Sequence, residues 1–198
     1  MNPLEKLIKE LTKLPGIGEK TANRLAYNIS KRDKNDALGL AFAIFDVKEK
    51  IVFCKKCCNL SESDVCKLCS DPKRDKHSIC VVEEPQDAAA IERSGAFNGT
   101  YHILHGRVSP LDGVGPDQLK IKELLARIKG DANIKELVIA TNPTTEGEAT
   151  ALYISNLTKG MDIKITRIAF GIPFGGDIEY IDRSTLARSI EFRSAFKS

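Results

Sequence analysis

The chain has 198 residues, of which 42% are hydrophobic and 29% charged, with a formal net charge of +3. This is the composition of an ordinary soluble protein of one or two domains, and it excludes a low-complexity or repeat protein. The apolar stretch at residues 37–45 is too short to cross a bilayer, so we expect no membrane partner. The charge is uneven, because residues 1–76 hold 16 Lys and Arg against 11 Asp and Glu. This basic front part favours a polyanionic partner.

The first predicted elements are two short helices joined by a turn that contains proline and glycine. Apolar residues recur at helical spacing from Leu4 to Leu11, which predicts a helix over about residues 3–13. The string Leu14-Pro15-Gly16-Ile17-Gly18 then ends this helix and permits a tight turn with exposed backbone amides. A second helix is predicted at about residues 19–30.

The second helix has one basic side and one apolar side. On a helical wheel, Lys20, Arg24 and Lys31 fall within an arc of about 40°. The opposite, core-facing side carries Ala22, Leu25, Ala26 and Ile29. Free turn amides, the positive end of a helix and nearby cations together suit a phosphate group. From spacing alone, an αα-hairpin with a solvated charged face is an equally good interpretation.

The nine residues L-P-G-I-G-E-K-T-A that begin at Leu14 resemble a helix-hairpin-helix motif. Such motifs hold the DNA backbone through hairpin amides without reading the base sequence. The resemblance therefore implies DNA contacts at Gly16, Gly18, Lys20 and Arg24. A further apolar segment at residues 37–53 is expected to form a helix that packs on the hairpin.

Four cysteines follow with the spacing of a four-thiolate zinc site. Cys54, Cys57, Cys66 and Cys69 form C-x2-C-x8-C-x2-C, in which each C-x-x-C turn can bring two thiolates to one ion. A disulfide framework is the alternative, but it needs an oxidising compartment, and the first twelve residues contain no apolar signal core. We therefore expect a cytoplasmic protein with one zinc ion per chain.

Three further residues bear on this prediction. Cys58 adjoins a predicted ligand and could compete for the metal, and His77 lies close enough in sequence to replace a cysteine. Four cysteines already complete the coordination shell, so an ordinary role is expected for His77. Cys80 lies in an apolar run and is expected to be a buried thiol.

From Ser78 onward, short apolar runs alternate with helical segments. This alternation predicts a mainly parallel sheet covered by helices. Strands are expected at residues 79–82, 101–104, 137–140 and 163–168, and helices at residues 86–94, 117–129 and 148–159. In such sheets, polar residues at the carboxyl ends of the strands form the ligand site.

Two acidic clusters follow predicted strand ends and together could hold Mg²⁺ through oxygen atoms. They contain Glu83, Glu84 and Asp87 in the first cluster and Glu146 and Glu148 in the second. The string V-E-E-P-Q-D at residues 82–87 resembles the glutamate motif of Toprim domains. The string A-T-N-P-T-T-E-G-E-A at residues 140–149 resembles the A-T-D-P-D-R-E-G-E-A of type IA topoisomerases.

Two departures from the Toprim pattern argue against catalysis. Asn142 and Thr144 stand where catalytic Toprim domains have the aspartates of a D-x-D pair, and neither residue supplies anionic charge. We therefore expect no enzymatic activity and, at most, weak Mg²⁺ binding at Glu83, Asp87 and Glu146, which otherwise serve as a docking surface. The alternative is a Mg²⁺-dependent Toprim nuclease or topoisomerase.

Taken together in this order, the parts resemble the RecR family of bacterial recombination mediators over nearly the whole chain. The most specific strings are S-P-L-D-G-V-G-P at residues 109–116, the segment at 140–151, and G-I-P-F-G-G-D-I-E-Y at residues 171–180. Phe170 is a departure, since relatives often carry histidine there.

The resemblance implies an α+β multidomain fold. Its parts are a helix-hairpin-helix domain at residues 1–53, a four-cysteine zinc module at 54–77, an α/β Toprim domain with a mainly parallel sheet at 78–170, and a C-terminal packing and oligomerisation segment at 171–198. It further implies a homotetrameric ring around DNA with Lys20 and Arg24 facing the lumen. RecO, and RecF where present, are the implied partners in helping to load RecA at gaps during DNA repair.

Overall fold

The computed structural model describes residues 1–169 and 171–195, so the departure at Phe170 and the last three residues lie outside the described part. The chain divides into two compact units, Met1–Ile51 and Val52–Ser198. The first unit is helical, and the second combines helices with a four-stranded sheet. The α+β class predicted from the sequence is confirmed.

The first unit contains three helices: α1 at Pro3–Leu11, α2 at Glu19–Lys31 and α3 at Lys34–Lys50. Helix α1 begins with a reciprocal cap, in which the Glu5 amide donates to Asn2 Oδ1 at 2.9 Å and the Asn2 amide donates to Glu5 Oε2 at 3.0 Å. The helix ends two residues before the predicted position because the amides of Lys13 and Leu14 bond to carbonyls only three residues back.

Helix α3 differs from its prediction in both position and burial. It begins at Lys34 because the Asp33 side chain accepts a hydrogen bond from the Asn35 amide at 2.8 Å. Every side chain of α3 except that of Ala37 is exposed, and Phe42 and Ile44 are 63% and 61% exposed. The expectation that this helix buries its apolar residues on the hairpin is therefore wrong for the single chain.

The second unit starts with the cysteine-rich segment, which forms a small folded module. Strand β1 at Val52–Phe53 pairs antiparallel with β2 at Leu60–Ser61, and a four-residue helix, α4, spans Lys67–Ser70. The hairpin and α4 each present one C-x-x-C pair, so the two pairs approach each other from opposite ends of the segment.

The remaining strands form one parallel sheet, as predicted, and the structure gives their order as β4-β3-β5-β6. They span Ser78–Val82 (β3), Thr100–Ile103 (β4), Glu136–Ile139 (β5) and Lys164–Arg167 (β6). The helices are α5 at Pro85–Ser94, α6 at Ile121–Gly130, α7 at Thr145–Leu157 and α8 at Arg183–Glu191, with 3-10 turns at Pro116–Gln118 and Ile178–Tyr180.

Alternate residues of the central strand β3 face two separate layers of the core. Ile79 and Val81 pack with the helices on one side of the sheet, and Cys80 and Val82 pack on the other side. Cys80 is 1% exposed, and burial raises the pKa of its thiol to about 12, as expected of a core cysteine. Because β3 and β5 are neighbours, the residues that follow their carboxyl ends are brought side by side.

Two helix boundaries differ from the sequence prediction for local reasons. Helix α7 starts three residues earlier than predicted because the Thr144 hydroxyl accepts a hydrogen bond from the Gly147 amide at 3.1 Å. Helix α6 starts four residues later because Pro116–Gln118 forms a separate 3-10 turn. Within the described ranges, no helix has the length and apolar content that crossing a membrane requires.

Candidate functional site

The turn between α1 and α2 exposes backbone amides at the start of a helix. Gly16 has φ +77°, a conformation that strains any residue with a Cβ, and the Ile17 amide closes the turn on the Leu14 carbonyl at 3.1 Å. Gly18 is the N-cap of α2 and has no side chain with which to cap it. The first amides of α2 are therefore available to an anion.

The predicted basic side of α2 is exposed and its predicted apolar side is inward. Ala22 and Ala26 are fully buried, whereas Lys20 and Arg24 are exposed. Across residues 1–169 and 171–195, the structure gives neither cation a side-chain hydrogen bond or an ion pair. Two uncompensated charges thus flank the uncapped helix end, which is a suitable arrangement for contacts with phosphates.

The four predicted zinc ligands are buried and lie together. The sulfur atoms of Cys54, Cys57, Cys66 and Cys69 all lie within 4.8 Å of one another. Two local contacts hold them: the Cys66 amide donates to Cys54 Sγ at 3.3 Å, and the Cys58 amide donates to the Cys54 carbonyl at 2.9 Å. Cys58 adopts a positive φ of 61°, and its sulfur atom is not part of the cluster.

The chemistry of this donor set fits a divalent zinc ion. Cys57 Sγ and Cys66 Sγ are 3.5 Å apart, and the hydrogen bond between them raises the pKa of Cys57 and lowers that of Cys66. Four thiolates at this separation would repel one another strongly, and a bound dication removes that obstacle to full deprotonation. Four sulfur ligands complete the tetrahedral shell of a structural zinc site.

The cysteine module is attached to the sheet by long-range hydrogen bonds that the sequence did not reveal. The Ile103 amide donates to the Cys57 carbonyl at 2.8 Å, and the His105 ring nitrogen Nε2 lies 2.6 Å from the Cys58 carbonyl. His77 Nδ1 instead lies 2.6 Å from the Asn133 carbonyl, so this ring is engaged elsewhere. These contacts tie the first C-x-x-C turn to the end of β4.

The glutamate that follows β3 is buried and fully occupied by protein donors. Glu83 is 1% exposed, and its two carboxylate oxygens accept hydrogen bonds at 2.8 Å from the backbone amide and the side-chain amide of Asn142. Arg107 Nη1 lies 3.8 Å from the same carboxylate. An aspartate in place of Asn142 would set two carboxylates against each other, which only a cation or a proton would relieve. The two amide groups of Asn142 thus satisfy the oxygens with which Glu83 could otherwise bind a metal ion.

The other two acidic candidates do not converge with Glu83 on one point. Asp87 Oδ2 accepts a hydrogen bond from the Glu84 amide at 2.9 Å and so serves the start of α5. Glu146 lies in the first turn of α7. In the part of the chain that the structure describes, the four cysteines are the set of metal-binding side chains whose ligand atoms meet; the acidic trio forms no such set.

The close approach of the two strand ends depends on Gly147. A Cβ atom at this position would lie 2.0 Å from the Asn142 carbonyl oxygen and 2.9 Å from Glu83 Oε1. The Thr141 hydroxyl also donates to the Gly147 carbonyl at 2.9 Å. This glycine therefore lets α7 pass directly over the Glu83–Asn142 pair.

Glu148, in the first turn of α7, contacts the C-terminal segment, and sequence reasoning missed this role. Its carboxylate accepts hydrogen bonds from Arg167 Nη1 at 2.6 Å and Arg188 Nη1 at 2.8 Å. The hydrogen bond from Arg167 lowers the pKa of Glu148 to about 2, with a further contribution from Arg188 and against the opposing effect of burial. Arg188 lies on α8, so one carboxylate joins the edge strand β6, helix α7 and the C-terminal helix.

Four family models match consecutive parts of the chain. They describe a RecR helix-hairpin-helix at residues 4–48, a RecR four-cysteine zinc finger domain at 51–71, a Toprim domain at 77–169 and a RecR C-terminal region at 171–194. The chain is 51% identical over 191 residues to Recombination protein RecR of Heliobacterium modesticaldum, covering 96% of each chain. The chain belongs to the RecR family.

Other RecR relatives give the same result. Recombination protein RecR of Moorella thermoacetica is 50% identical over 191 residues, covering 96% of each chain. Recombination protein RecR of Myxococcus xanthus is 50% identical over 192 residues, covering 97% of each chain. RecR membership, the match to the four-cysteine zinc finger and the clustered sulfur atoms together support zinc binding by the cysteine module. The four matched ranges follow the predicted order of parts, whose boundaries at 53, 77 and 170 stay a prediction.

Proposed function

We propose that this RecR-family chain is a non-catalytic, ring-forming DNA-binding protein of recombinational repair. In this proposal it acts with RecO, and with RecF where that protein is present, to help load RecA at gaps. The observation that carries the proposal is the uncapped start of α2, where the Gly16–Gly18 turn meets two exposed cations without partners in the described chain, Lys20 and Arg24. Such a site attracts phosphates without reading sequence.

The absence of catalysis is inferred from the Glu83–Asn142 pair. Metal-dependent phosphoryl transfer needs an ion held by several carboxylates, and here the backbone amide and the side-chain amide of Asn142 each donate to one oxygen of Glu83. Residual Mg²⁺ binding at Glu83, Asp87 and Glu146 would be weak for the same reason. As a partner-docking surface, the cluster would offer half-buried Asp87 and Glu146, whereas Glu83 is buried and accepts hydrogen bonds from Asn142.

Cys54, Cys57, Cys66 and Cys69 are proposed as the ligands of one structural zinc ion. The ion would stiffen the segment that leads from the helical unit into the sheet, because coordination energy is gained only in the folded state. A reducing cytoplasm, in which cysteines stay available as thiolates, is the compartment that suits this donor set.

Self-assembly into a homotetrameric ring is supported by apolar surface that the single chain leaves exposed. Leu38, Phe42 and Phe45 lie on one side of α3, and the opposite side carries another apolar row, Leu40, Ile44 and Val47. A helix that is apolar on opposite sides is typical of one buried between two partners. The C-terminal segment adds exposed Phe174 and Tyr180, in keeping with its proposed role in oligomerisation.

The proposal is tested by measuring the affinity for duplex DNA as a function of salt. A double variant, Lys20→Ala with Arg24→Ala, is compared with Lys9→Ala, which removes an exposed cation from α1. We expect the double variant to lose at least about tenfold in affinity, and the salt slope to fall by about 0.9 for each lost phosphate contact. The Lys9→Ala control should bind within about twofold of the parent protein.

The same samples give the oligomeric state when their mass in solution is measured with and without DNA. Tetramers that associate with duplex DNA are expected. Equal DNA binding by the parent protein and the double variant would favour a scaffold that binds only protein, and a monomer indifferent to DNA would overturn the proposal as a whole.

A further inference from the structure

A second basic site lies in the unit that begins at Val52, away from the α1–α2 turn in sequence. It is a cleft of about 380 Å³ between the cysteine module and the amino-terminal edge of the sheet. The module contributes Lys56 and Cys69 to its lining, and the end of α6 contributes Arg127 and Asp131. Lys76 precedes β3, and Thr100 is the first residue of β4. We call this site the module cleft.

The charge inside the module cleft is unbalanced. Its three cations take part in no ion pair within the described residues, and its lining holds a single carboxylate. That carboxylate belongs to Asp131, whose Oδ1 accepts hydrogen bonds at 3.0 Å from both the backbone amide and the side-chain amide of Asn133. Asp131 is thus held by its own turn and offsets only one of the three positive charges, and Cys69, a proposed zinc ligand, is the other anionic group that the lining can supply.

Two of the cations are held in place by neutral acceptors. Arg127 donates from Nη1 to the Tyr101 carbonyl and from Nη2 to the Thr100 hydroxyl, both at 2.7 Å. Lys76 Nζ donates to the Cys69 carbonyl at 3.3 Å and to the Asp71 carbonyl. These contacts fix the positions of the charges without cancelling them, so little reorganisation is needed when an anion arrives.

The third cation stands at the mouth of the cleft. Lys56 is exposed, and its side chain has no hydrogen bond or ion pair with any residue of the described chain. Its neighbour Lys55 differs, because Lys55 Nζ is paired with Asp64 Oδ2 at 2.6 Å and does not line the cleft. Adjacent lysines of the module therefore have different surroundings.

We propose that the module cleft binds a phosphate group of the DNA backbone, as a contact additional to the α1–α2 turn. The inference rests on the proposed DNA-binding function and extends it to the cysteine module. Fixed cations around a cleft large enough for a phosphate form charge-assisted hydrogen bonds with its oxygens and release counterions from the DNA. The contact is independent of base sequence, like the one proposed at the turn.

The test compares variants of the full-length, zinc-loaded protein at these adjacent positions. Duplex DNA affinity is measured over a fourfold range of salt for the parent protein, Lys56→Ala and Lys56→Glu, with Lys55→Ala and Lys55→Glu as matched controls. Zinc content and melting temperature are recorded for every sample. The double variant Lys20→Ala with Arg24→Ala is included to separate the two proposed contacts.

We expect Lys56→Ala to weaken DNA binding and to lower the salt slope by about 0.9. The difference in affinity between this variant and the parent protein should therefore shrink by about 3.5-fold as the salt concentration rises fourfold. Lys56→Glu should weaken binding further, and both Lys55 variants should match the parent protein. The slope change should also persist when Lys56→Ala is combined with the double variant, since separate contacts add.

Three results would overturn the inference. If the parent protein binds DNA and Lys56→Ala has the same slope, the cleft makes no phosphate contact, although the proposed function stands. If Lys56→Ala lowers zinc content while the slope is unchanged, Lys56 balances the charge of the metal-thiolate centre instead. If the charge variants impair capture of an acidic protein partner and leave DNA binding intact, the cleft is a protein-docking site.

Discussion

The second unit contains two groups of potential metal ligands, and they differ in whether their ligand atoms come together. The sulfur atoms of the four module cysteines all lie within 4.8 Å of one another, whereas Glu83, Asp87 and Glu146 form no set of ligands that meet. The cysteines come from turns close in sequence, and each C-x-x-C pair converges through local backbone geometry. The acidic residues come from different strand ends, and the carboxylates of Glu83 and Asp87 accept hydrogen bonds from Asn142 and from the Glu84 amide.

The difference shows that residue type and spacing suffice for a site only when the spacing is local. Cys54 and Cys69 are joined by a short hairpin and one turn of helix, so few conformations compete with the cluster. At the sheet edge, one substitution in the second motif changes the site, because Asn142 donates hydrogen bonds where an aspartate would share a cation with Glu83. Each prediction below tests one side of this comparison.

The largest effect is expected from removing one cysteine of the cluster. Cys66→Ala should abolish stoichiometric zinc binding and lower the free energy of unfolding by at least about 4 kcal/mol, because the coordination energy stabilises only the folded state. For a chain of this size, the melting temperature should fall by about 10 °C. Zinc analysis and thermal unfolding measure both quantities.

The matched control for this change is Cys58→Ala, at a buried cysteine that adjoins the cluster without joining it. This variant should keep one zinc ion per chain. An unchanged melting temperature in Cys66→Ala would contradict the structural role of the metal.

An intermediate effect is expected from restoring a carboxylate at the sheet edge. Asn142→Asp places a second carboxylate against buried Glu83 and should destabilise the metal-free protein by about 2 kcal/mol. Added Mg²⁺ should recover part of this loss in the variant and leave the melting temperature of the parent protein unchanged. Thermal unfolding with and without Mg²⁺ measures the difference.

The control is Asn142→Ala, which removes the side-chain hydrogen bond but adds no charge, and Mg²⁺ should not rescue it. The parent protein should also leave supercoiled plasmid DNA intact in the presence of Mg²⁺. Plasmid nicking or relaxation that Glu83→Ala abolishes would establish a Toprim nuclease or topoisomerase instead.

The smallest effect concerns the ion pairs that Glu148 makes with Arg167 and Arg188. The pKa of Glu148 is lowered from 4.5 to about 2, chiefly by the hydrogen bond with Arg167. A lowered pKa stabilises the fold above the ordinary pKa, and this contribution is lost as the pH falls from about 5 towards 2. Because the carboxylate is one-third exposed, Glu148→Gln should cost only about 1 kcal/mol at neutral pH.

The measurement is the free energy of unfolding by urea at several pH values. The free energy of unfolding of the parent protein should exceed that of Glu148→Gln at neutral pH, and this difference should disappear as the solution is acidified. Glu191→Gln, at an exposed residue of α8, should have the same free energy of unfolding as the parent protein at every pH. A constant difference between the parent protein and Glu148→Gln from pH 7 to about pH 2 would show that the ion pairs do not carry the effect.

The sequence alone determined the elements and the sites whose parts are neighbours along the chain. The hairpin turn at Gly16–Gly18, the inward side of α2 with Ala22 and Ala26, and the cysteine cluster all follow from periodicity and short spacing. In each of these, local backbone geometry leaves few alternatives, so the residue pattern is enough.

Tertiary structure alone decided where distant residues meet. The approach of Asn142 to Glu83 over Gly147, the junction of Glu148 with Arg188, and the cleft between Lys56 and Arg127 each join segments far apart in sequence. The exposure of α3 in the single chain likewise could not be predicted from the sequence, since apolar periodicity predicts a helix and its faces but not the surface that covers them. Long-range contacts depend on the order of the strands and on hydrogen bonds that no local spacing encodes.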